Sequence, residues 1–257
     1  RYRSSVRSIY GVLHGDTRPT FIGSCTFVET EDGRYLVTAA HVFDHLSEKS
    51  LFVLDNDFVA LEGESTSTEA PDGDRKCDFV DLTVLQLNEE TILALEGVSY
   101  IPLASFLIGS PSSGQKYATV LGYPLSKHKK ALLPDRPLLI QQYCYTDKIL
   151  NESEFDSFQA FDPRTHILLN HNPRSSYDPS GNKVTSTGTK GVSGGALFIV
   201  EASVTRSKLN SCEWTTWFAG ILIEGRSKKK YLAFTNATSV LIAINYLNSN
   251  LAPKSQS

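Results

Sequence analysis

Apolar runs in this chain are short, and Gly, Pro, Asp and Asn interrupt them at nearly every boundary. Runs rich in β-branched and aromatic residues fall at 8–13, 20–29, 35–38, 51–54, 58–61, 82–87 and 101–103. A further set falls at 138–145, 166–169, 196–200, 216–224 and 231–235. Short runs with this punctuation predict an all-β barrel or sandwich. Glu31-Asp32-Gly33 reads as a hairpin turn, and the polar stretch 63–76 as a surface loop. Val240, Leu241, Ile244 and Leu247 recur at near-helical spacing behind Thr238-Ser239 as a cap, which predicts a closing helix. With 257 residues, 40% of them hydrophobic, the chain can bury one large core or two small ones.

The stretch Gly188-Thr189-Lys190-Gly191-Val192-Ser193-Gly194-Gly195-Ala196-Leu197 surrounds one serine with glycines just before an apolar run. Glycine permits backbone angles that other residues resist, so a tight turn here can aim several N–H groups at one point. A hydroxyl on such a turn suits acyl transfer, which needs a nucleophile beside donors for an oxyanion. A glycine-rich hairpin with an incidental serine is the plainer reading of this stretch alone.

Two more blocks bear on it. Leu36-Val37-Thr38-Ala39-Ala40-His41 ends an apolar run in a histidine, and Asp81-Leu82-Thr83-Val84-Leu85 opens another with an aspartate. Thr-Ala-Ala-His, Asp-Leu-Thr-Val-Leu and Gly-Val-Ser-Gly-Gly, in that order, resemble the three catalytic blocks of the trypsin/chymotrypsin-like serine proteases. The match is nearest to bacterial and HtrA-like members. Gly-x-Ser-x-Gly also describes the nucleophile elbow of α/β-hydrolases, whose acid and histidine follow the serine. None of the six histidines here lies after Ser193, so that triad cannot be assembled.

The resemblance implies two six-stranded antiparallel β-barrels with a C-terminal α-helix. The barrels would span 1–108, with His41 and Asp81, and 116–236, with Ser193. Residues 109–115 would link them, 237–249 would form the helix and 250–257 a tail. It implies a serine endopeptidase acting on protein or peptide without cofactor or metal. Ser193 would attack, His41 would carry the proton, and Asp81 would fix the imidazole tautomer. Asp78, three residues earlier, competes with Asp81 for that part. The N–H groups of Gly191 and Ser193 would form the oxyanion hole. Ile223, Glu224 and Gly225 would pair with the substrate main chain, and Thr187 and Leu232 would wall the primary pocket. No acidic residue lies between Gly181 and Ser193, which predicts cleavage after small or medium uncharged residues. Glu224 or Glu213 would have to reach in to reverse that.

Three departures from the family stand out. Val192 replaces the aspartate that pairs with a new N-terminus in secreted zymogens. Ile223 stands where a serine often bonds the catalytic aspartate, so Asp81 needs other donors. Val42 replaces the cysteine that would partner Cys25. With four cysteines in no close spacing, free thiols and an intracellular setting are the expectation. His45, four residues after His41, has no third ligand in view for a metal.

A net charge of -3 and only two short basic runs, 127–130 and 226–230, leave no nucleic-acid footprint. No apolar run approaches the ~18 residues of a membrane span. The chain opens Arg-Tyr-Arg and contains no methionine, which suggests a processed chain or a domain of a longer protein. Two alternatives to a free-standing protease remain. One is a silent relative that binds peptide or partner through the same cleft. The other is a protease ordered by an activating partner or neighbouring domain.

Overall fold

The computed structural model describes residues 2–16, 18–44, 49–109, 117–128, 142–155, 161–172, 176–177, 183–184, 188–204, 212–226 and 230–251. The first sheet is built from β1 (Val6–Leu13), β2 (Thr20–Thr30), β3 (Gly33–Ala39), β4 (Lys49–Leu54), β5 (Phe58–Ala60), β6 (Gly63–Ser67), β7 (Leu82–Leu87) and β8 (Ile101–Pro102). Their order is β5-β4-β1-β2-β3-β7-β6, with β8 lying parallel beside β2. Helix α1 (Ala40–Phe43) follows β3, and α2 (Glu89–Ala94) follows β7.

The second sheet comprises β9 (Tyr117–Gly122), β10 (Tyr143–Lys148), β11 (His166–Asn170), β14 (Ala196–Val204), β15 (Cys212–Arg226) and β16 (Tyr231–Asn236). Its order is β10-β9-β14-β15-β16-β11, and β12 (Ser176–Tyr177) and β13 (Lys183–Val184) form a separate ribbon. Short helices α3 (Leu125–His128) and α4 (Glu152–Phe155) precede α5 (Ala237–Leu251), which closes the chain. The two curled antiparallel sheets and final helix are a chymotrypsin-like double barrel.

Burial explains which runs became strands. Along β7 every residue but Gln86 is buried, and all six residues of β16 are buried. Both were legible as apolar runs. The stretch 63–76 was not: the expected loop instead begins as strand β6, paired from Gly63↔Leu87 to Ser67↔Thr83. Its residues are almost all exposed, so no alternation marks it. An edge strand is held by backbone hydrogen bonds, and polar side chains there discourage pairing with other chains.

Helix α5 buries Ala237, Val240, Ile244 and Leu247 along one stripe. Its cap differs from expectation. Asn236 Oδ1 accepts the Ser239 N–H at 2.9 Å, while Thr238 Oγ1 accepts the Gly109 N–H at 2.9 Å. At the far end Tyr35 donates its hydroxyl to Asn248 Oδ1 at 2.9 Å, tying the helix to the first sheet. The core does not stop at the boundary between sheets. One buried cluster runs from Phe27 and Leu36 through Phe106, Phe198 and Phe218 to α5. Burying each such side chain is worth about 1.5–3 kcal/mol, so apolar packing holds the two sheets together.

Apart from Gly109, the expected linker lies outside the described residues, as do 138–141 of one expected strand, Thr187 and His45. The segment leading to Gly109 already adheres to the second sheet, where Leu107 donates to the Phe218 carbonyl at 2.8 Å. Cys25, Cys77 and Cys144 are unpaired thiols. Among the described residues no helix is long and apolar enough to cross a membrane.

Candidate active site

His41 sits in the single turn of α1, directly after β3, and Asp81 sits directly before β7. Because β3 and β7 pair with Ala39 opposite Leu82, the two side chains meet at one end of the ladder. His41 Nδ1 lies 2.6 Å from Asp81 Oδ2, and the His41 backbone N–H donates to Asp81 Oδ1 at 2.9 Å. Thus both oxygens of a nearly buried carboxylate are engaged, which answers the absence of a serine at position 223. The His41 side chain is 40% exposed and that of Asp81 only 10%, so the pair is open to solvent on the histidine side.

Asp81 has a φ of +43°, a left-handed value that costs a non-glycine residue about 1–2 kcal/mol. The surroundings enforce it. Asp78 Oδ1 accepts the N–H groups of Val80 and Asp81, at 3.1 and 2.9 Å. From the second sheet, His166 Nε2 lies 2.7 Å from the Phe79 carbonyl, and Thr235 Oγ1 donates to the Val80 carbonyl. Asp78 therefore shapes the loop, and Asp81 is the carboxylate at the histidine. Arg75 bonds both Asp44 and Asp78, and those partners, Asp44 foremost, push its guanidinium pKa still higher.

Ser193 lies on a turn pinned at the seam. Its carbonyl accepts the Ser24 N–H at 2.9 Å. Ser24 Oγ donates to the Gly191 carbonyl, and Thr26 Oγ1 to the Gly194 carbonyl, each at 2.9 Å. Gly194 N–H reaches the Leu222 carbonyl at 2.7 Å, Gly195 N–H the Val192 carbonyl at 2.8 Å, and Val192 N–H the Thr189 carbonyl at 2.9 Å. Among the described residues the N–H groups of Gly191 and Ser193 donate to nothing. The amides of Val192, Gly194 and Gly195 are thus engaged, while those of Gly191 and Ser193 are not.

Glycine is required here for space and for angle. Gly191 and Gly194 have φ of +91° and +84°. A Cβ on Gly194 would collide with the Ser24 carbonyl and Thr38 Oγ1, and one on Gly191 would collide with the Phe21 ring. Val192 is fully buried in the core of the second sheet, so an apolar contact occupies the place of the zymogen aspartate. Thr38 belongs to the Thr-Ala-Ala-His block, but the part played by Ser24 and Thr26 is not legible in sequence beyond two small polar residues inside the run 20–29.

Val42, next to His41, and the serine turn flank one glycine: a Cβ on Gly23 would lie 2.9 Å from Val42 Cγ2 and 3.4 Å from the Ser193 carbonyl. Ser193 itself is half-buried, and its hydroxyl makes no hydrogen bond among the described residues. Of the expected substrate-binding residues, Ile223 is buried at an irregularity in the β15–β16 ladder, Glu224 is half-buried and Gly225 exposed. Leu232, opposite Gly225, is wholly buried in the second core cluster. A Cβ on Gly225 would collide with the Thr189 hydroxyl and lie 3.3 Å from Leu232 Cδ2. Glu213 pairs with Ser203, well along β15 from Gly225. Among the described residues no group of three or more His, Cys, Asp or Glu is placed to hold a metal.

Two solved structures share this architecture. One is a kallikrein-related peptidase 10 in complex with Zn2+: 14% identity over 96% of this chain and 97% of that one, with a TM-score of 0.54. The other is a serine endoprotease from Yersinia pestis: 15% identity over 96% of this chain and 64% of that one, TM-score 0.53. Both are similar to this chain in the trypsin/chymotrypsin-like fold. No protein-family model matches the chain, and no curated protein matches it in sequence.

Proposed function

We propose that this double barrel is a serine endopeptidase, with Ser193 as nucleophile, His41 as general base and Asp81 as its orienting carboxylate. One set of contacts supports the reading: His41 and Asp81 are hydrogen-bonded, Val42 beside His41 and the Ser193 carbonyl both border Gly23, and the Gly191 and Ser193 N–H groups donate to nothing among the described residues.

In the resting enzyme Nδ1–H of His41 is donated to Asp81, which leaves Nε2 as the basic nitrogen. A bound peptide brings its carbonyl to the turn. Ser193 Oγ attacks the carbonyl carbon as His41 Nε2 takes the hydroxyl proton, and Asp81 stabilises the imidazolium that forms. The carbonyl oxygen becomes an oxyanion held by the N–H groups of Gly191 and Ser193, each worth about 10²–10³ in rate. His41 then gives its proton to the departing amine. Water repeats the sequence on the acyl-enzyme, restoring Ser193. That Ser193 Oγ makes no hydrogen bond among the described residues is compatible with this, since catalytic hydrogen bonds are often long before substrate binds.

The substrate main chain adds as a strand along Ile223, Glu224 and Gly225. Thr189 lying over Gly225, with Leu232 behind, leaves a narrow primary pocket for a small or medium uncharged side chain. Protein or peptide is the partner, and no cofactor takes part. A protease awaiting an activating partner would have a collapsed turn, and the buried Val192 supports a formed one; a silent relative would bind peptide through the same cleft without cleaving it. A fluorophosphonate probe tests the proposal. The isolated chain should be labelled at Ser193, and Ser193→Ala should lose both labelling and peptide cleavage. No labelling of the wild type, or retained cleavage by the mutant, refutes it.

A further inference from the structure

Both halves of the His41–Asp81 pair stand on backbone that cannot hold itself. Helix α1 has four residues, far below the length at which a helix persists unaided, and Asp81 is left-handed. The His41 and Ala40 N–H groups bond Asp81 directly, at 2.9 and 3.0 Å, and one further side chain, outside the pair, ties the end of α1 to the loop before Asp81. Arg75 donates Nε and Nη2 to the two oxygens of Asp44, at 3.0 and 2.7 Å. Asp44 is the residue that terminates α1, its N–H bonded to the Ala40 carbonyl. The same guanidinium donates Nη1 to Asp78 Oδ2 and to the Thr68 carbonyl, both at 2.6 Å.

Asp78 is saturated by these contacts. Oδ2 takes Arg75 and the Thr68 hydroxyl, the latter at 2.5 Å, and Oδ1 takes the N–H groups of Val80 and Asp81. Its side chain is only 4% exposed, so its orientation is set by those donors. Thr68 Oγ1 in turn accepts the Leu82 N–H at 3.0 Å. A rigid, planar fork thus spans from the end of the histidine's helix to the carboxylate that sets the aspartate's backbone. A lysine, a single point charge, could not reproduce it.

We infer that Asp44, Arg75 and Asp78 are a positioning clamp that holds His41 and Asp81 in hydrogen-bonding register. The contacts from His166 and Thr235 fix residues 79 and 80 from the second sheet, whereas Arg75 ties Asp78 to Asp44 at the end of α1. The inference rests on the reading of this pair as the catalytic base, and it can be tested apart from turnover.

The full chain would be compared with Arg75→Gln, Asp44→Asn and the double variant, reading three quantities. These are the proton NMR signal of His41 Nδ1–H without substrate, kcat and KM on a cleaved peptide, and Tm. The clamp predicts that either single change broadens the Nδ1–H signal and lowers kcat about 10- to 100-fold with KM unchanged. The double variant should lose no more than the worse single, because the residues act as one unit. An unchanged Nδ1–H signal in both single variants, with only Tm lowered, overturns the inference. So do additive losses in the double variant. Should Arg75→Gln fail to fold, Asp44→Asn decides alone, since the Asp44 side chain is 44% exposed. A wild type that cleaves no peptide sinks the protease reading, and the NMR signal still judges the clamp.

Discussion

The N–H of Ser24, on β2 of the first sheet, donates to the carbonyl of Ser193, on the turn that opens β14 of the second, across 2.9 Å. The Ser193 turn is therefore stitched to the sheet that carries His41 and Asp81. The Ser24 hydroxyl adds two more stitches, donating to the Gly191 carbonyl and accepting the Tyr123 N–H at 2.8 Å.

Ser24→Ala should accordingly lower both stability and reactivity. It leaves a carbonyl and an N–H without their partner inside the seam, a loss of about 1–3 kcal/mol. Thermal unfolding should show a clearly reduced Tm, and fluorophosphonate labelling at Ser193 should slow. A variant matching wild type in both would mean that the hydroxyl is dispensable to the turn.

Gly194→Ala should be far more damaging. The new methyl meets the Ser24 carbonyl and Thr38 Oγ1, and the φ of +84° disfavours any side chain. Together the overpacking and the left-handed angle cost about 2–5 kcal/mol. Urea titration is the measurement, and a midpoint within error of wild type would contradict the close approach.

Asp81→Asn and Asp78→Asn should separate chemistry from scaffold. The first places the wrong tautomer on His41 and should reduce kcat by about 10⁴. The second weakens the hold of Arg75 on the loop, so its loss should appear in both Tm and rate. If Asp78→Asn alone were the crippling change, the orienting role would belong to Asp78.

His171 makes stability depend on pH. It is buried, both ring nitrogens lack hydrogen-bond partners among the described residues, and Tyr145 packs edge-on against it. Burial pushes its pKa below the ordinary 6.5, opposed in part by the charge of Asp147. The unfolded chain therefore binds this proton at a higher pH than the folded one. The contribution to stability is complete above about pH 6.5 and is lost as pH falls through the folded pKa. His171→Phe should remove that part of the pH dependence and, at neutral pH, should not lower stability, because an unpaired polar group leaves the core. Urea unfolding from about pH 7.5 to 5.5 checks this, and equal slopes for variant and wild type would refute it.

Specificity should follow from the Thr189 side chain lying against Gly225. A peptide-library digest should show cleavage after small or medium uncharged residues, and Thr189→Gly should widen the range toward larger ones. Dominant cleavage after Lys or Arg would point to Glu224 as a pocket acid.

What the sequence determined by itself is what local patterning records. A run such as Leu82–Leu87 is apolar because it is buried, and the stripe at 240, 244 and 247 is apolar because one helix face is buried. The motif blocks singled out His41, Asp81 and Ser193, and the first two are in direct hydrogen-bond contact. Tertiary structure decided the rest. The polar strand β6 exists because β7 offers it a free backbone edge, and nothing in Glu64, Ser65 or Thr66 announces that. Ser24 meets Gly191, Thr26 meets Gly194, and Arg75 meets Asp44 only because distant strands become neighbours. Such bonds depend on where a backbone carbonyl or carboxylate ends up in space. Hydrophobic periodicity reports burial of a residue, whereas a hydrogen bond reports the identity of its neighbour, and only the folded chain supplies that.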